Sequence, residues 1–429
     1  MKKYFSEHIE NSGLVIFRIL LGLLIASESF GAIILGWVDT IFINSKFSFN
    51  FIGFDFLQIL HGEKMYVYFS MMGILGILIA IGLFYRFSMI LFTIMWAGVY
   101  LAQKESYNNH YYFLVLVGVI MCFLPANGKL SLDSKFFPKT QSTTLPRWMP
   151  FLLIFQISIL YFYAAVAKIY PDWLDGTFSR ILLNGITQHQ FLLDIFNQKW
   201  FLLLYAYAGI LFDLFIIPAL FWKRTRVLAI IASFAFHISN SITLKIGIFP
   251  FLALSFIVLI VDPKTFQFIF KKSETPKIYP FKSNLYVWFF VPFFILQLLF
   301  PLRHFVIKGD VLFTEEGHRL SWRMMLRERI GELKIKVVDP KTELSRYYDY
   351  ESELTSTQIK TLKHSPDLIW QYCQRIKKQY KEPVAIYVES RVSINRRPFV
   401  TLIDENVDMT KAQFNYFQHN DWILLQKLD

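Results

Sequence analysis

Nine runs of apolar residues, separated by charged or turn-forming sequence, recur between residues 14 and 302, and a soluble core cannot absorb so many. They lie at about 14–36, 66–84, 87–101, 110–125, 151–168, 201–221, 227–243, 246–261 and 286–302. A helix needs roughly 20 apolar residues to cross a bilayer. Several runs have only about 15 to 17, so the expectation is a polytopic, mainly α-helical membrane bundle of about nine spans, some paired as tight hairpins. Hydrophobic residues make up 55% of the chain, above the roughly 45–50% of soluble domains. The first run reads as a retained span and not as a cleavable signal peptide. Glu7 and Glu10 dilute its basic head, it is too long, and no small-residue cleavage site follows it.

Loop charges give an orientation. With an inside N-terminus, the inside segments hold Lys2, Lys3, Arg86, Lys129, Lys135, Lys139, Arg147, Lys223, Arg224, Arg226, Lys264, Lys271, Lys272, Lys277 and Lys282. The outside loops hold Lys46, Lys64, Lys104, Arg180, Lys199 and Lys245. Fifteen basic residues against six is a positive-inside bias, so the net charge of +12 is a topology signal and calls for no nucleic-acid partner.

From about Arg303 the apolar runs stop. Strand-like stretches at Leu333–Val338 and Val384–Ile394 and a helix-like stretch at Thr357–Tyr380 predict a small α+β domain. The division expected is 1–302 for a catalytic membrane domain and 303–429 for a domain on the outer side. Cys122 and Cys373 then fall on opposite sides and do not pair, and no Cys/His metal spacing occurs.

Polar residues interrupt the apolar runs at one depth. Lys168 ends FLLIFQISILYFYAAVAK and is followed by a Pro171-Asp172-Trp173 turn. Such a lysine either snorkels to the headgroups or is held dry as a base. His110, in YNNHYYF, and His237, in SFAFHISNSITL with Asn240 beside it, fall in the same outer layer. Either histidine also reads as an interfacial anchor or a satisfied core residue. Glu28 is expected to neutralise Lys168 or hold a polar substrate, and Arg18 and Asp213, in the inner half, to form a structural ion pair.

Six segments in order, FRILLGLLIASE (17–28), YNNHYYF (107–113), AKIYPDWLDG (167–176), FHISNSITLKIGIFPF (236–251), LSWRMML (320–326) and RVSINRRP (391–398), resemble the vitamin K-dependent gamma-glutamyl carboxylases and their short bacterial relatives with an HTTM membrane domain. The resemblance implies an enzyme that deprotonates reduced vitamin K or menaquinol, lets oxygen attack it, and uses the resulting strong base to remove a γ-proton from a peptidyl glutamate. Carbon dioxide then adds to the carbanion, and the quinone leaves as its epoxide. It implies Lys168 as the base for the hydroquinone and His110 in the carboxylation half, with His237, Asn109, Asn240 and Trp173 holding the cofactor. The implied partners are the lipid bilayer, a quinol and a glutamate-containing peptide or protein. The implied location is a bacterial inner membrane with the site facing the periplasm.

Two departures open alternatives. Trp37–Lys64 lacks the loop cysteine of the animal members, and the chain stops soon after Trp422, without their C-terminal extension. Quinol oxygenation without carboxylation, or quinone binding without catalysis, are the other readings.

Overall fold

The computed structural model of the chain describes residues 2–244, 246–266, 269, 277–279 and 283–426. Among the basic residues counted above, Lys245, Lys271, Lys272 and Lys282 lie outside the described residues. The apolar runs form α1 (Ser12–Ile34), α2 (Lys64–Ile81), α3 (Tyr85–Ala102), α4 (Asn109–Phe123), α5 (Trp148–Ala167), α6 (Lys199–Phe221), α7 (Arg226–Leu244), α8 (Phe249–Ser255), α9 (Ile257–Ile260) and α10 (Ser283–Leu299). Among the described residues, seven helices are long and apolar enough to cross a membrane, the last of them continuing from α10 to Val306. The expected spans 110–125 and 246–261 correspond to shorter apolar helices, Asn109–Phe123 and the broken pair Phe249–Ile260. Local sequence sets those lengths. Asn108 caps α4 by accepting from Tyr111 N at 2.7 Å, and Leu124, held extended before Pro125, ends it. The protein is a multi-pass membrane protein.

Lipid-facing and core-facing stripes are legible on single helices. On α2, Val67, Met71, Ile74, Ile77 and Ile81 are exposed at helical spacing, while Met65, Phe69, Met72, Leu75 and Ile79 are buried. The buried face packs on α1 through small residues. A Cβ on Gly22 would lie 2.4 Å from Ala80 N, and one on Gly76 2.6 Å from Ala26 N, so the backbones touch where only glycine fits.

One end of the bundle gathers the starts of α1 and α5 and the end of α4, and a small antiparallel pair, His8–Glu10 with Thr144–Pro146, ties it together. Arg18 works here. Its guanidinium donates to the carbonyls of Ala80 (3.2 Å), Ala126 (3.2 Å) and Leu130 (2.6 Å), linking α1 to two turns. The expected Arg18–Asp213 pair does not form, because backbone carbonyls satisfy the arginine and Asp213 binds Lys168.

The other end carries the α+β region. Strands β1 (Arg329–Val338), β2 (Ser345–Tyr347), β3 (Ala385–Ile394) and β4 (Val400–Thr401) form an antiparallel sheet in the order β2-β1-β3-β4, with Arg329 opposite Ile394 and Val338 opposite Ala385. The helix expected at 357–380 is two, α11 (Ser356–Leu362) and α12 (Pro366–Gln379), since Pro366 starts a new helix and restricts the residue before it. Leu368, Ile369, Tyr372, Cys373 and Ile376 of α12 pack on Ile335, Val337, Ile386 and Val388 of the sheet. Both cysteines are free.

Bundle and sheet are bolted together. Asp172 takes two hydrogen bonds from Arg397 (2.5 and 2.8 Å) and one from Asn395 (2.6 Å). Gln358 reaches Phe47 O (2.7 Å) and Gln371 reaches Asn50 O (3.0 Å), so the cysteine-free loop between α1 and α2 is held without a covalent link.

Candidate functional site

Four of the six motif segments meet in pairs. Asp172 of the second half of AKIYPDWLDG meets Asn395 and Arg397 of RVSINRRP. Tyr107 and Asn109 meet the LSWRMML segment: Leu320 N donates to Tyr107 Oη (2.7 Å) and Asn109 Nδ2 donates to Arg323 O (3.1 Å). Tyr112 stacks on Trp322 at 5.1 Å between ring centroids.

Between them lies a cavity of about 620 Å3, lined among others by His110, Lys168, Trp173, His237, Asn240 and Phe249. Five of the six expected site residues therefore share one space. Its walls are chiefly apolar, with Leu160, Ala164, Phe212, Ala232 and Phe236 between the polar groups. Phe249 sits between the two imidazoles, stacked on His110 at 4.1 Å and edge-on to His237 at 6.0 Å. His237 Nε2 is 2.8 Å from Tyr161 Oη, while its buried Nδ1 has no partner among the described residues.

Lys168 does not snorkel. Its side chain folds back one turn, donating to Ala164 O (3.3 Å) and to Asp213 Oδ2 of α6 (2.5 Å), and its ammonium lies 5.5 Å from the Trp173 ring centroid. Trp173 is fixed in turn by Nε1 donating to Ala206 O at 2.9 Å. Asp213 is the residue whose part the sequence did not disclose, because depth counted along α6 separated it from Lys168. Glu28 instead bonds Tyr111 and the backbone of Ile248, away from the lysine. Asn109 turns from this cavity to its bonds with Tyr107 and Arg323 O.

A second cavity, of about 670 Å3, opens at the junction of bundle and sheet and is lined by Asn109, His110, His318, Arg319, Arg323, Arg327, Arg329 and Lys360 among others. His110, Met324 and Met325 border both spaces. Guanidinium groups dominate the second. Arg319 is spent on Asp367 and Arg327 on Glu315, yet Arg323 Nε, Arg327 Nε and Arg329 Nη2 are buried without a partner among the described residues. Burial and neighbouring Arg327 push Arg323 down to about 10, so it keeps its charge at neutral pH. Orphaned N–H groups around a cavity suit a carboxylate. The sequence placed Arg323 in the LSWRMML segment but gave none of these arginines a role.

Two family models cover most of the chain. The HTTM domain family matches residues 6–264, and the lumenal domain of vitamin K-dependent gamma-carboxylase matches residues 282–429. The chain belongs to the vitamin K-dependent gamma-carboxylase family. No solved structure matches it. The chain is thus a vitamin K-dependent carboxylase-like enzyme, and the first cavity can be tested for fit to that cofactor. The apolar walls, the aromatic ring between two imidazoles and the orphaned His237 Nδ1 suit a quinone head with two oxygens and an isoprenoid tail.

Proposed function

We propose that the chain couples epoxidation of reduced vitamin K or menaquinol to γ-carboxylation of a peptidyl glutamate, with oxygen and carbon dioxide as co-substrates. The observation that carries the reading is that Lys168, His110 and His237, from three separate helices, line one apolar cavity, and that His110 also borders an arginine-rich one. Bound in the apolar cavity, the reduced quinone supplies, with oxygen, a base strong enough to take a γ-proton from glutamate.

The residues divide the work. Lys168 Nζ is the proton acceptor for the quinol hydroxyl. The 2.5 Å hydrogen bond to Asp213 Oδ2 gives a Lys168 proton a place to go, so that the amine can accept the quinol proton. His237 Nδ1, with Nε2 held by Tyr161, hydrogen-bonds a quinone oxygen, and Asn240 and Trp173 complete the wall. The apolar lining excludes the water that would quench a strong base. Arg323 and Arg327 hold the glutamate carboxylate in the second cavity, and His110 handles proton and charge where the two spaces meet. The sheet-bearing end lies opposite the basic loops, which supports a site facing out of the cytoplasm, on the periplasmic side of a bacterial inner membrane.

The test is purified protein in nanodiscs supplied with quinol, labelled bicarbonate and a glutamate peptide, measuring epoxide and incorporated label together. Both products are expected. Epoxide without label assigns a quinol oxidoreductase, and neither product leaves a quinone-binding protein.

A further inference from the structure

At the end of the bundle away from the sheet lies a cavity that the proposed chemistry does not use. The termini of α1, α5, α6, α7 and α9 enclose about 710 Å3, within the roughly 300–1,000 Å3 of small-ligand sites. Its depth is apolar, formed by Leu14, Phe151, Ile154, Phe221 and Ile260. Its rim is cationic, with Arg147, Lys223, Arg226 and Lys264 against Glu10 and Asp262.

Two of the four cations are committed. Arg147 donates to Glu7 (2.6 Å) and to Tyr4 Oη (3.2 Å), and Arg226 donates to the carbonyls of Leu220 (2.9 Å) and Phe221 (3.2 Å), closing the end of α6. Lys223 and Lys264 are exposed, and neither ammonium has an ion-pair partner among the described residues. Next to Lys223, Trp222 is 59% exposed, which sets the lipid–water boundary at the rim.

A greasy shaft that opens at headgroup level between two ammonium groups with no ion-pair partner among the described residues suits an anionic headgroup carrying an acyl chain. A zwitterionic lipid brings its own cation to a rim that is already positive. A soluble anion leaves the apolar shaft without a partner. We infer that this cavity seats one anionic phospholipid of the leaflet away from the sheet, its phosphate on Lys223 and Lys264 and one chain between α5 and α9. The lipid bridges α5 and α6, with Lys168 just past the end of α5 and Asp213 on α6, and so braces the spacing of that pair.

The test is native mass spectrometry of the full chain in micelles, titrated in turn with phosphatidylglycerol, phosphatidylcholine and glycerol 3-phosphate. Phosphatidylglycerol is expected to stay bound at one per chain at concentrations where the other two do not. The double variant Lys223→Gln, Lys264→Gln is expected to weaken it about 30-fold, from about 5-fold per lysine–headgroup contact, with the melting temperature in phosphatidylcholine unchanged. Equal retention of phosphatidylcholine would reduce the cavity to an apolar groove and overturn the inference. Retention of glycerol 3-phosphate would make it a soluble-phosphate site, and an unaltered affinity in the double variant would remove the headgroup from this rim. Either result overturns the inference too.

Discussion

The two cavities that meet at His110 are built on opposite physics. The one inside the bundle is walled mainly by apolar side chains, and its few polar groups are paired or singly placed: Lys168 on Asp213, and His237 on Tyr161. The one at the junction is crowded with guanidinium groups whose N–H bonds are incompletely used. A dry wall protects a reactive base and strengthens each electrostatic contact within it, while a cationic wall captures an acid from water. The comparison teaches that two chemically unlike spaces adjoin through a single imidazole with Met324 and Met325, and the proposed function assigns one half-reaction to each.

The largest effect expected is in the dry cavity. Lys168→Ala should cut quinol epoxidation about 1,000-fold, within the range of a positioned base, with near-normal thermal stability in the purified protein. Wild-type epoxide yield in that variant would return the lysine to a structural role. Asp213→Asn should cost less, about 100-fold, because the amide can no longer accept the lysine's proton; undiminished epoxidation would separate Asp213 from the proton path.

His110 tests the boundary itself. His110→Ala should lower carboxylation about 100-fold while epoxide still forms, read by the ratio of label to epoxide. A constant ratio would make His110 part of the quinol cavity alone. Arg323→Gln belongs wholly to the cationic side and should raise the KM for a glutamate peptide about 10-fold or more with quinol KM unchanged, since it removes a charged hydrogen bond. Its backbone carbonyl, which holds Asn109, is untouched by the substitution.

The smallest effect concerns the wall between cavity and solvent. Burial pushes Glu105 up to about 8, against hydrogen bonds from Gln358 and Phe49 N, and burial pushes Lys104 down to about 8 against the pull of Asp367. A carboxyl raised in the folded state binds protons more tightly there than in the unfolded chain. Its contribution is therefore full below about 4.5 and lost as pH rises through about 8. The Lys104 window lies above that, from about 8 to 10.5. Between pH 5 and 8, melting temperature should fall less steeply in Glu105→Gln than in the wild type, and parallel slopes would exclude Glu105 from the acid-to-neutral stability change.

How much of this was legible varies residue by residue. Lys168, His110 and His237 stood out because a polar group inside an apolar run has an energetic cost that invites a reason, and all three line the same space. Asn109 stood beside His110 in the sequence, yet successive helical residues point about 100° apart, and its side chain serves the junction. Asp213 was assigned by depth to Arg18, although Lys168 folds back a full turn and reaches it first. Arg323, although inside the LSWRMML segment, and Arg327 were given no role for another reason. Charged residues in a soluble domain are common, and only the pairing of some with Glu315 and Asp367 reveals which N–H groups are left over.

The sequence by itself determined the solvent of each part. Apolar runs must enter lipid, charge-rich sequence must leave it, and basic loops must gather at one end, because those preferences are summed along the chain and need no partner. Proline and asparagine likewise fixed where α4 and α12 begin or end, through local backbone sterics and capping. Tertiary structure alone decided which side chains meet. Lys168 with Asp213, His110 with Phe249, and Asp172 with Arg397 are pairs from distant segments. Their encounter depends on how each helix is rotated about its axis and which neighbour it packs against, and neither depth nor spacing along the chain carries that information.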